Sequence, residues 1–267
     1  AAYEEMGLDW CYVAIACDKE NLEKVTTALR IVDCKGLNVT IPHKQEVLKA
    51  CNKLTETANK IQAVNTLVPE KNNQWIGANT DVEGFLMPLK NHNLINKSVI
   101  VIGCGGSARA VVMGLNSLNI RKITIIGRNK NSLNIFISSM KNLLSKNQIS
   151  IEGIDNKEID ITSYIKEADL IINTTPIGMN DQNNVKNNIP LGNEIWNCLS
   201  NKTILYDLIY TPRPTNWLKL GQKKNCFVID GLDMLVGQGA LSIKLWSGFN
   251  DVPIQIMKSS AKKHLMV

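Results

Sequence analysis

Between Val99 and Ala110 the chain reads V-I-V-I-G-C-G-G-S-A-R-A, an apolar β-branched run that stops on a glycine cluster and resumes in helix-forming residues. Few folds accept such a junction. The run Ser98–Ile102 is short, continuous and β-branched, the pattern of a parallel strand buried on both faces. Gly103 permits the tight turn that must follow, Gly105 lets the backbone approach a pyrophosphate, and the small Ala108 allows the next helix to pack close to the strand. A helix over about Ser107–Leu118 then aims its unpaired N–H groups and the positive end of its dipole at the phosphates. A dinucleotide site is therefore expected at Gly103, Cys104, Gly105, Gly106 and Ser107.

The next strand, Lys122–Ile126, ends in Gly127-Arg128-Asn129-Lys130, where a chain that selects NAD carries an Asp or Glu for the ribose 2′-hydroxyl. No acid stands there. Arg128, with Lys130 close behind, suits the 2′-phosphate of NADP, because a guanidinium can donate two charge-assisted bonds to one phosphate. In isolation these would read as solvated loop cations; the glycine turn upstream decides for NADP.

Downstream, strands expected at Ile149–Gly153, Leu170–Asn173, Thr203–Asp207 and Asn225–Ile229 alternate with helical stretches such as Leu133–Leu144 and Thr215–Lys223. This alternation is that of a doubly wound parallel sheet, whose ligand crevice lies at the strand C-terminal ends. Three polar endings fall there: Asn173-Thr174-Thr175-Pro176, Asp207-Leu208-Ile209-Tyr210 and Asp230-Gly231. The stretch Asn180–Asn188, rich in Asn and Asp, reads as a surface loop.

A different unit lies upstream. It reads as strand Trp10–Cys17, helix Asn21–Val32, strand Gly36–Val39, helix His43–Asn52, a short helix near Thr55–Ile61 and a hairpin from Val64–Pro69 to Gln74–Asn79. Helix Val82–His92, interrupted by Pro88, leads into the nucleotide domain. After Gly231 come helices Leu232–Phe249 and Val252 to about Met266, the first with Met234, Gln238, Leu241 and Leu245 on one stripe. A glutamine within an apolar stripe needs partners, supplied by backbone or by a ligand, since an unpaired buried amide costs roughly 1–3 kcal/mol.

At 267 residues and 44% hydrophobic the chain has room for two modest domains. Its seven Cys are scattered without a C-x-x-C pair and there are three His, which argues for a reducing, cytoplasmic setting and against a disulfide framework or a metal site. The net charge of +6 comes from dispersed Lys and Arg, a pattern for anionic small ligands; no nucleic acid or membrane partner is expected.

The segments N-V-T-I-P-H-K (Asn38–Lys44), A-V-N-T (Ala63–Thr66), N-T-D (Asn79–Asp81), G-C-G-G-S-A (Gly103–Ala108), N-T-T-P-I-G-M (Asn173–Met179) and G-L-D-M-L-V-G-Q (Gly231–Gln238) resemble the shikimate dehydrogenase family, in the family's order and over nearly the whole chain. The resemblance implies an α/β fold of two domains: an N-terminal substrate domain, residues 1–82 with 238–267, and a Rossmann-type doubly wound NADP-binding domain, residues 83–237. It implies reversible, NADPH-dependent reduction of 3-dehydroshikimate to shikimate, on the route to chorismate and the aromatic amino acids, by a monomer or homodimer.

In the family, the lysine matching Lys44 and the aspartate matching Asp81 face the reacting hydroxyl. Hydride arriving at a carbonyl carbon leaves an alkoxide, which an ammonium stabilises and protonates while a carboxylate holds lysine and hydroxyl in line. Without the motifs, Lys44 would be a solvated cation and Asp81 an N-cap for the helix from Val82. The same matching implies substrate contacts at Asn38, Thr40, Asn65, Tyr210 and Gln238. It places the pyrophosphate on Gly103 to Ser107, the adenosine phosphate on Gly127, Arg128, Asn129, Lys130 and Ser132, and the nicotinamide side near Thr174, Leu208 and Gly231, with Glu56 a weaker match.

Two departures stand out. Family members often carry Asn-Arg-Thr where this chain has Gly127-Arg128-Asn129, and a second arginine where Ser132 stands, so Lys130 is expected to substitute. The family also opens with a strand and an S-x-S pair that grips the substrate carboxylate, ahead of a helix end resembling Ala1–Leu8, which implies a longer native chain. Omitting a strand from a sheet orphans backbone hydrogen bonds at roughly 1–3 kcal/mol each, against a typical total stability of about 5–15 kcal/mol. Three other readings share parts of the pattern: a quinate/shikimate dehydrogenase with relaxed cofactor use, a methylenetetrahydrofolate dehydrogenase, and a non-catalytic sensor of shikimate-like ligands. Arg128, N-V-T-I-P-H-K, and the joint presence of Lys44 and Asp81 argue against them in turn.

Overall fold

The computed structural model describes residues 1–155, 161–179 and 189–265; the Asn- and Asp-rich stretch 180–188 lies outside them. The chain divides into two units, Ala1–Phe85 with Leu235–Val267, and Leu86–Met234.

In the first unit, α1 (Ala2–Glu5) and α2 (Leu22–Ile31) precede β1 (Leu37–Asn38), β2 (Lys53–Leu54), α3 (Glu56–Ile61), β3 (Thr66–Glu70), β4 (Gln74–Ala78) and α4 (Asp81–Leu86). The strands form a sheet of order β1-β3-β4-β2, with β3 and β4 an antiparallel hairpin that sets Thr66 opposite Ala78. Thr55 starts α3 by accepting from the Ala58 N–H. Leu22, Val47, Ala58, Val64, Leu67 and Trp75 form its core. The Trp75 ring can be buried because its indole N–H reaches the Thr26 carbonyl at 3.0 Å.

Here the structure departs from expectation in three places. Trp10–Cys17 takes no regular secondary structure and pairs with no strand among the described residues, and Tyr12 and Val13 are each 65% exposed. A groove of about 440 Å³, lined by Trp10, Tyr12 and Val13 on one side and Leu37, Asn38 and Val39 on the other, lies between that segment and the sheet edge. Apolar β-prone residues favour extended backbone, yet a strand also needs a ladder partner. His43–Asn52 is a turn followed by a 3₁₀ helix, Glu46–Ala50, because the Lys44 carbonyl accepts from Val64 N at 2.8 Å and is lost to the helix; Leu48 N turns to Gln45 O. Finally, α4 is interrupted at Pro88 as expected but ends short of His92: it stops at Leu86 and continues only as a 3₁₀ turn, Met87–Leu89, since Pro88 lacks an N–H.

The second unit follows the expected alternation: β5 (Ser98–Ile102), α5 (Gly106–Asn116), β6 (Lys122–Gly127), α6 (Lys130–Leu144), β7 (Ser150–Asp155), α7 (Thr162–Glu167), β8 (Leu170–Asn173), β9 (Ile204–Asp207), α8 (Asn216–Lys223) and β10 (Phe227–Ile229). The strands are all parallel in the order β10-β9-β8-β5-β6-β7. Strand order reverses at β5, so the ligand crevice of such a sheet opens at the ends of β5 and β8. Then α9 (Leu232–Ser247) and α10 (Ile254–Leu265) close the chain, the unit boundaries falling within α4 and α9. The expected stripe on α9 is only in part its buried face: Met234 is buried but Leu245 is 43% exposed, while Val236, Ala240 and Ile243, off the stripe, are buried. That helix is apolar nearly all round, so its periodicity selects no face.

Candidate active site

Lys44 lies in the turn before the 3₁₀ helix, held there by the Val64 bond to its carbonyl. Asp81 is the first residue of α4. The expected capping role goes elsewhere: Asn79 Oδ1 accepts the Asp81 N–H at 3.1 Å, which leaves the Asp81 carboxylate for other partners. Its Oδ2 receives Lys44 Nζ at 2.6 Å, and its Oδ1 receives Asn65 Nδ2 at 2.8 Å. The two side chains are only 12% and 7% exposed, so this is a buried ion pair in which both carboxylate oxygens are satisfied. A buried charge without such partners would cost several kcal/mol, roughly 3–5.

Asn65 is oriented by its other contacts. Its Oδ1 accepts from Thr80 N at 2.8 Å and from Thr66 Oγ1 at 3.0 Å, which turns the NH₂ group toward Asp81 and Thr80 Oγ1. Asn38 donates to Asn65 O, Thr66 Oγ1 and Ser242 Oγ, and its Oδ1 accepts from the Tyr12 hydroxyl. Gln238, on α9, donates to Leu235 O at 2.9 Å, and its Oε1 lies 3.5 Å from Asn65 Nδ2. Hydrogen bonds thus join Lys44, Asp81, Asn65, Asn38 and Gln238. Thr40 is exposed, Tyr210 lies in the second unit at 36% exposure, and Glu56 is exposed on α3 in an ion pair with Lys60. Thr66, Thr80, Ser242 and Tyr12 join the cluster without having been expected. Thr66 and Thr80 stand inside the quoted motifs, and Ser242 lies one helical turn beyond Gln238.

The second unit carries the dinucleotide residues at the C-terminal ends of its strands. Gly103 follows β5 with φ +108°, and a Cβ there would come within 2.6 Å of Thr174 Oγ1. At Gly105 an added Cβ would meet nothing within 4 Å, so the protein's own packing does not demand a glycine there; the open backbone suits an approaching phosphate. Gly106 and Ser107 begin α5. Burial pushes the Cys104 thiol up, while the guanidinium groups of Arg109 and Arg128 pull the other way, so positive charge converges on this turn. Gly127 ends β6, Arg128 is exposed beyond it, and Asn129 caps α6 by accepting from Ser132 N at 2.9 Å. Lys130 opens that helix. Thr174 donates to Ile102 O at 2.7 Å, and Gly231 packs so close to Leu208 that a Cβ would fall 2.0 Å from its carbonyl oxygen.

Behind these loops lies a buried polar knot. Asn173 and Asp207 end neighbouring strands, β8 and β9. Asp207 accepts from Asn173 Nδ2 at 3.0 Å, Ile209 N at 3.2 Å and Thr215 Oγ1 at 2.8 Å, and Thr215 in turn caps α8. Burial nonetheless pushes its carboxyl up to about 6.

A curated shikimate dehydrogenase (NADP(+)) of Prochlorococcus marinus strain MIT 9515 is 49% identical to this chain over 265 residues, 99% of this chain and 91% of the relative. The chain belongs to the shikimate dehydrogenase family. The family's substrate binding domain matches residues 1–67 and its C-terminal domain residues 231–262. A crystal structure of shikimate dehydrogenase in complex with NADP+ is 32% identical, with a TM-score of 0.84 over 99% of this chain and 88% of that one. The shikimate dehydrogenase of Thermus thermophilus, solved in complex with NADP(H) and shikimate, is 27% identical, with a TM-score of 0.80 over 98% and 91%.

Proposed function

We propose that this chain is an NADP-dependent shikimate dehydrogenase, catalysing 3-dehydroshikimate + NADPH + H⁺ ⇌ shikimate + NADP⁺, with Lys44 and Asp81 as its catalytic residues. The observation that carries the reading is the buried Lys44–Asp81 pair with Asn65 on the second carboxylate oxygen. NADPH supplies the hydride. As the carbonyl carbon is reduced, its oxygen takes on negative charge, which the Lys44 ammonium stabilises and then protonates. In oxidation Lys44 accepts the same proton, while Asp81 keeps the amine oriented and Asn65 keeps Asp81 oriented. Asn38, Thr40, Asn65, Gln238 and Tyr210 are the substrate-binding residues of this reading.

The cofactor residues fit the group. The open face at Gly105, the start of α5 and the positive field at Cys104 suit the pyrophosphate, and Arg128 with Lys130 suits the 2′-phosphate. Thr174, Leu208 and Gly231 would border the nicotinamide. The substrate domain corresponds to the first unit and the NADP domain to the second. A cytoplasmic setting as monomer or homodimer is part of the same proposal; among the described residues no helix is long and apolar enough to cross a membrane.

Steady-state oxidation of shikimate and quinate, each with NADP⁺ and NAD⁺, tests the reading. Efficient turnover of shikimate with NADP⁺ is expected. Quinate oxidation with NAD⁺ at equal kcat/KM would instead make it a quinate/shikimate enzyme, and ligand binding without turnover would make it a sensor.

A further inference from the structure

Resting on the reading that shikimate binds at the Lys44–Asp81 cluster, we infer that Ser242 is a positioning residue for substrate capture, acting through Asn38 and Gln238. Ser242 is fully buried in the middle of α9. A serine there gains nothing for the helix, since its hydroxyl competes with the backbone. Its surroundings explain why it is polar.

The directions of the bonds can be worked out. Ser242 Oγ donates to the carbonyl of Gln238, one turn back, at 3.0 Å, so its proton is spent and its oxygen can only accept. Asn38 Nδ2 approaches it at 2.9 Å, with Thr66 Oγ1 at 3.0 Å and Thr80 Oγ1 at 3.3 Å. The Thr80 N–H fixes Asn65 Oδ1 as an acceptor, and Thr66 Oγ1 donates to the same oxygen. Thr80 Oγ1 accepts from Asn65 Nδ2, and its own proton has three acceptors in reach, Asn65 Oδ1, Thr66 Oγ1 and Ser242 Oγ. Ser242 therefore receives Asn38 and ties it to the helical turn that carries Gln238. The Lys44–Asp81 bond belongs to the other end of the network; Asn65 lies between it and Ser242, linked to the serine through Thr80, Thr66 and Asn38.

Replacing the hydroxyl removes the shortest bond that Asn38 donates and the tie to the Gln238 turn. Ser242→Ala is expected to raise KM for shikimate about five- to tenfold, the equivalent of one or two neutral hydrogen bonds. The value of kcat should stay within about twofold, and KM for NADP⁺ and the shape of the pH profile should not move. Ser242→Thr restores a hydroxyl and should recover much of the lost affinity; it also serves as the control if the alanine variant folds poorly. An unchanged KM for shikimate in Ser242→Ala, or a fall in kcat at constant KM, overturns the assignment. A wild-type enzyme that does not oxidise shikimate defeats the underlying reading instead, and the two failures are distinguished by assaying the wild type first.

Discussion

In β5 every residue is buried and all but Ser98 are apolar, whereas the small sheet of the first unit carries Asn38 and Thr66 on its strands, beside the buried Asn65, Thr80, Asp81 and Ser242. The six-stranded sheet buries Thr124 within β6, but its buried amide and carboxyl groups, Asn173 and Asp207, are the last residues of β8 and β9, where strands give way to loops. One unit packs an apolar slab and uses its rim. The other sets a hydrogen-bonded polar cluster into its interior, where each group depends on the next. Substitutions in the first unit should therefore fall on chemistry and substrate, and those at the rim of the second on cofactor and stability.

The sharpest test of that division is Lys44→Ala, which should lower kcat by about a hundredfold to ten-thousandfold while NADP⁺ binding, measured by titration, is unchanged. A rise in KM for shikimate at constant kcat would reduce Lys44 to a binding residue. Asp81→Asn should fall by a comparable factor yet stay folded, because Asn79 and not Asp81 caps α4. Near-native turnover of that variant would remove the carboxylate from the mechanism.

At the rim of the second unit, Asp207 makes the difference visible as pH dependence. Its carboxyl is raised from 3.8 to about 6 by burial, against the bonds from Thr215, Ile209 and Asn173, with Asp230, itself paired to Arg213, adding a smaller push. An acid that holds its proton more tightly when folded contributes stability that is complete below the unfolded value, near 4, and is lost as pH rises through about 6. Between those limits the loss is on the order of 3 kcal/mol. Denaturant unfolding from about pH 4 to about pH 6.5 should show this slope in the wild type and a flatter one in Asp207→Asn. Identical slopes would mean that the site is hydrated well enough to ionise normally.

Cofactor choice comes next in size. NADP⁺ should be preferred to NAD⁺ by about tenfold to a hundredfold, from roughly 1.5–3 kcal/mol for bonds to a charged group, and Arg128→Ala should remove most of that preference without altering KM for shikimate. If the variant keeps the preference, Lys130 carries the 2′-phosphate.

How much of this was legible in the sequence differs between the same two regions. A strand buried on both faces must be an unbroken apolar run, so β5, the glycine turn and α5 can be read locally, and the parallel order follows from alternation. Lys44 and Asp81 are 37 residues apart, and no periodicity links them; the motifs supplied the pairing that the geometry then displayed. Trp10–Cys17 misled because side chains report a preference for extended backbone and are silent about a partner. The α9 stripe misled because an all-round apolar helix has no preferred face. Ser242 went unremarked because a lone serine in a helix carries no signal until its neighbours in space are known.

The smallest effect separates the units most cleanly. Thr55 and Asn129 both cap helices through a side-chain oxygen, Thr55 accepting from Ala58 N at the start of α3 and Asn129 from Ser132 N at the start of α6. Each replacement by alanine should cost about 1 kcal/mol of stability, read from urea unfolding midpoints. Asn129, however, adjoins Arg128 in the turn assigned to the adenosine phosphate, and its cap holds that turn against α6. Asn129→Ala should therefore also weaken NADP⁺ binding a few-fold, roughly the value of one neutral hydrogen bond, whereas Thr55→Ala should leave it alone. Equal losses of NADP⁺ affinity in both variants would show that cap strength acts through global stability, and the functional separation of the two regions would fail at this point.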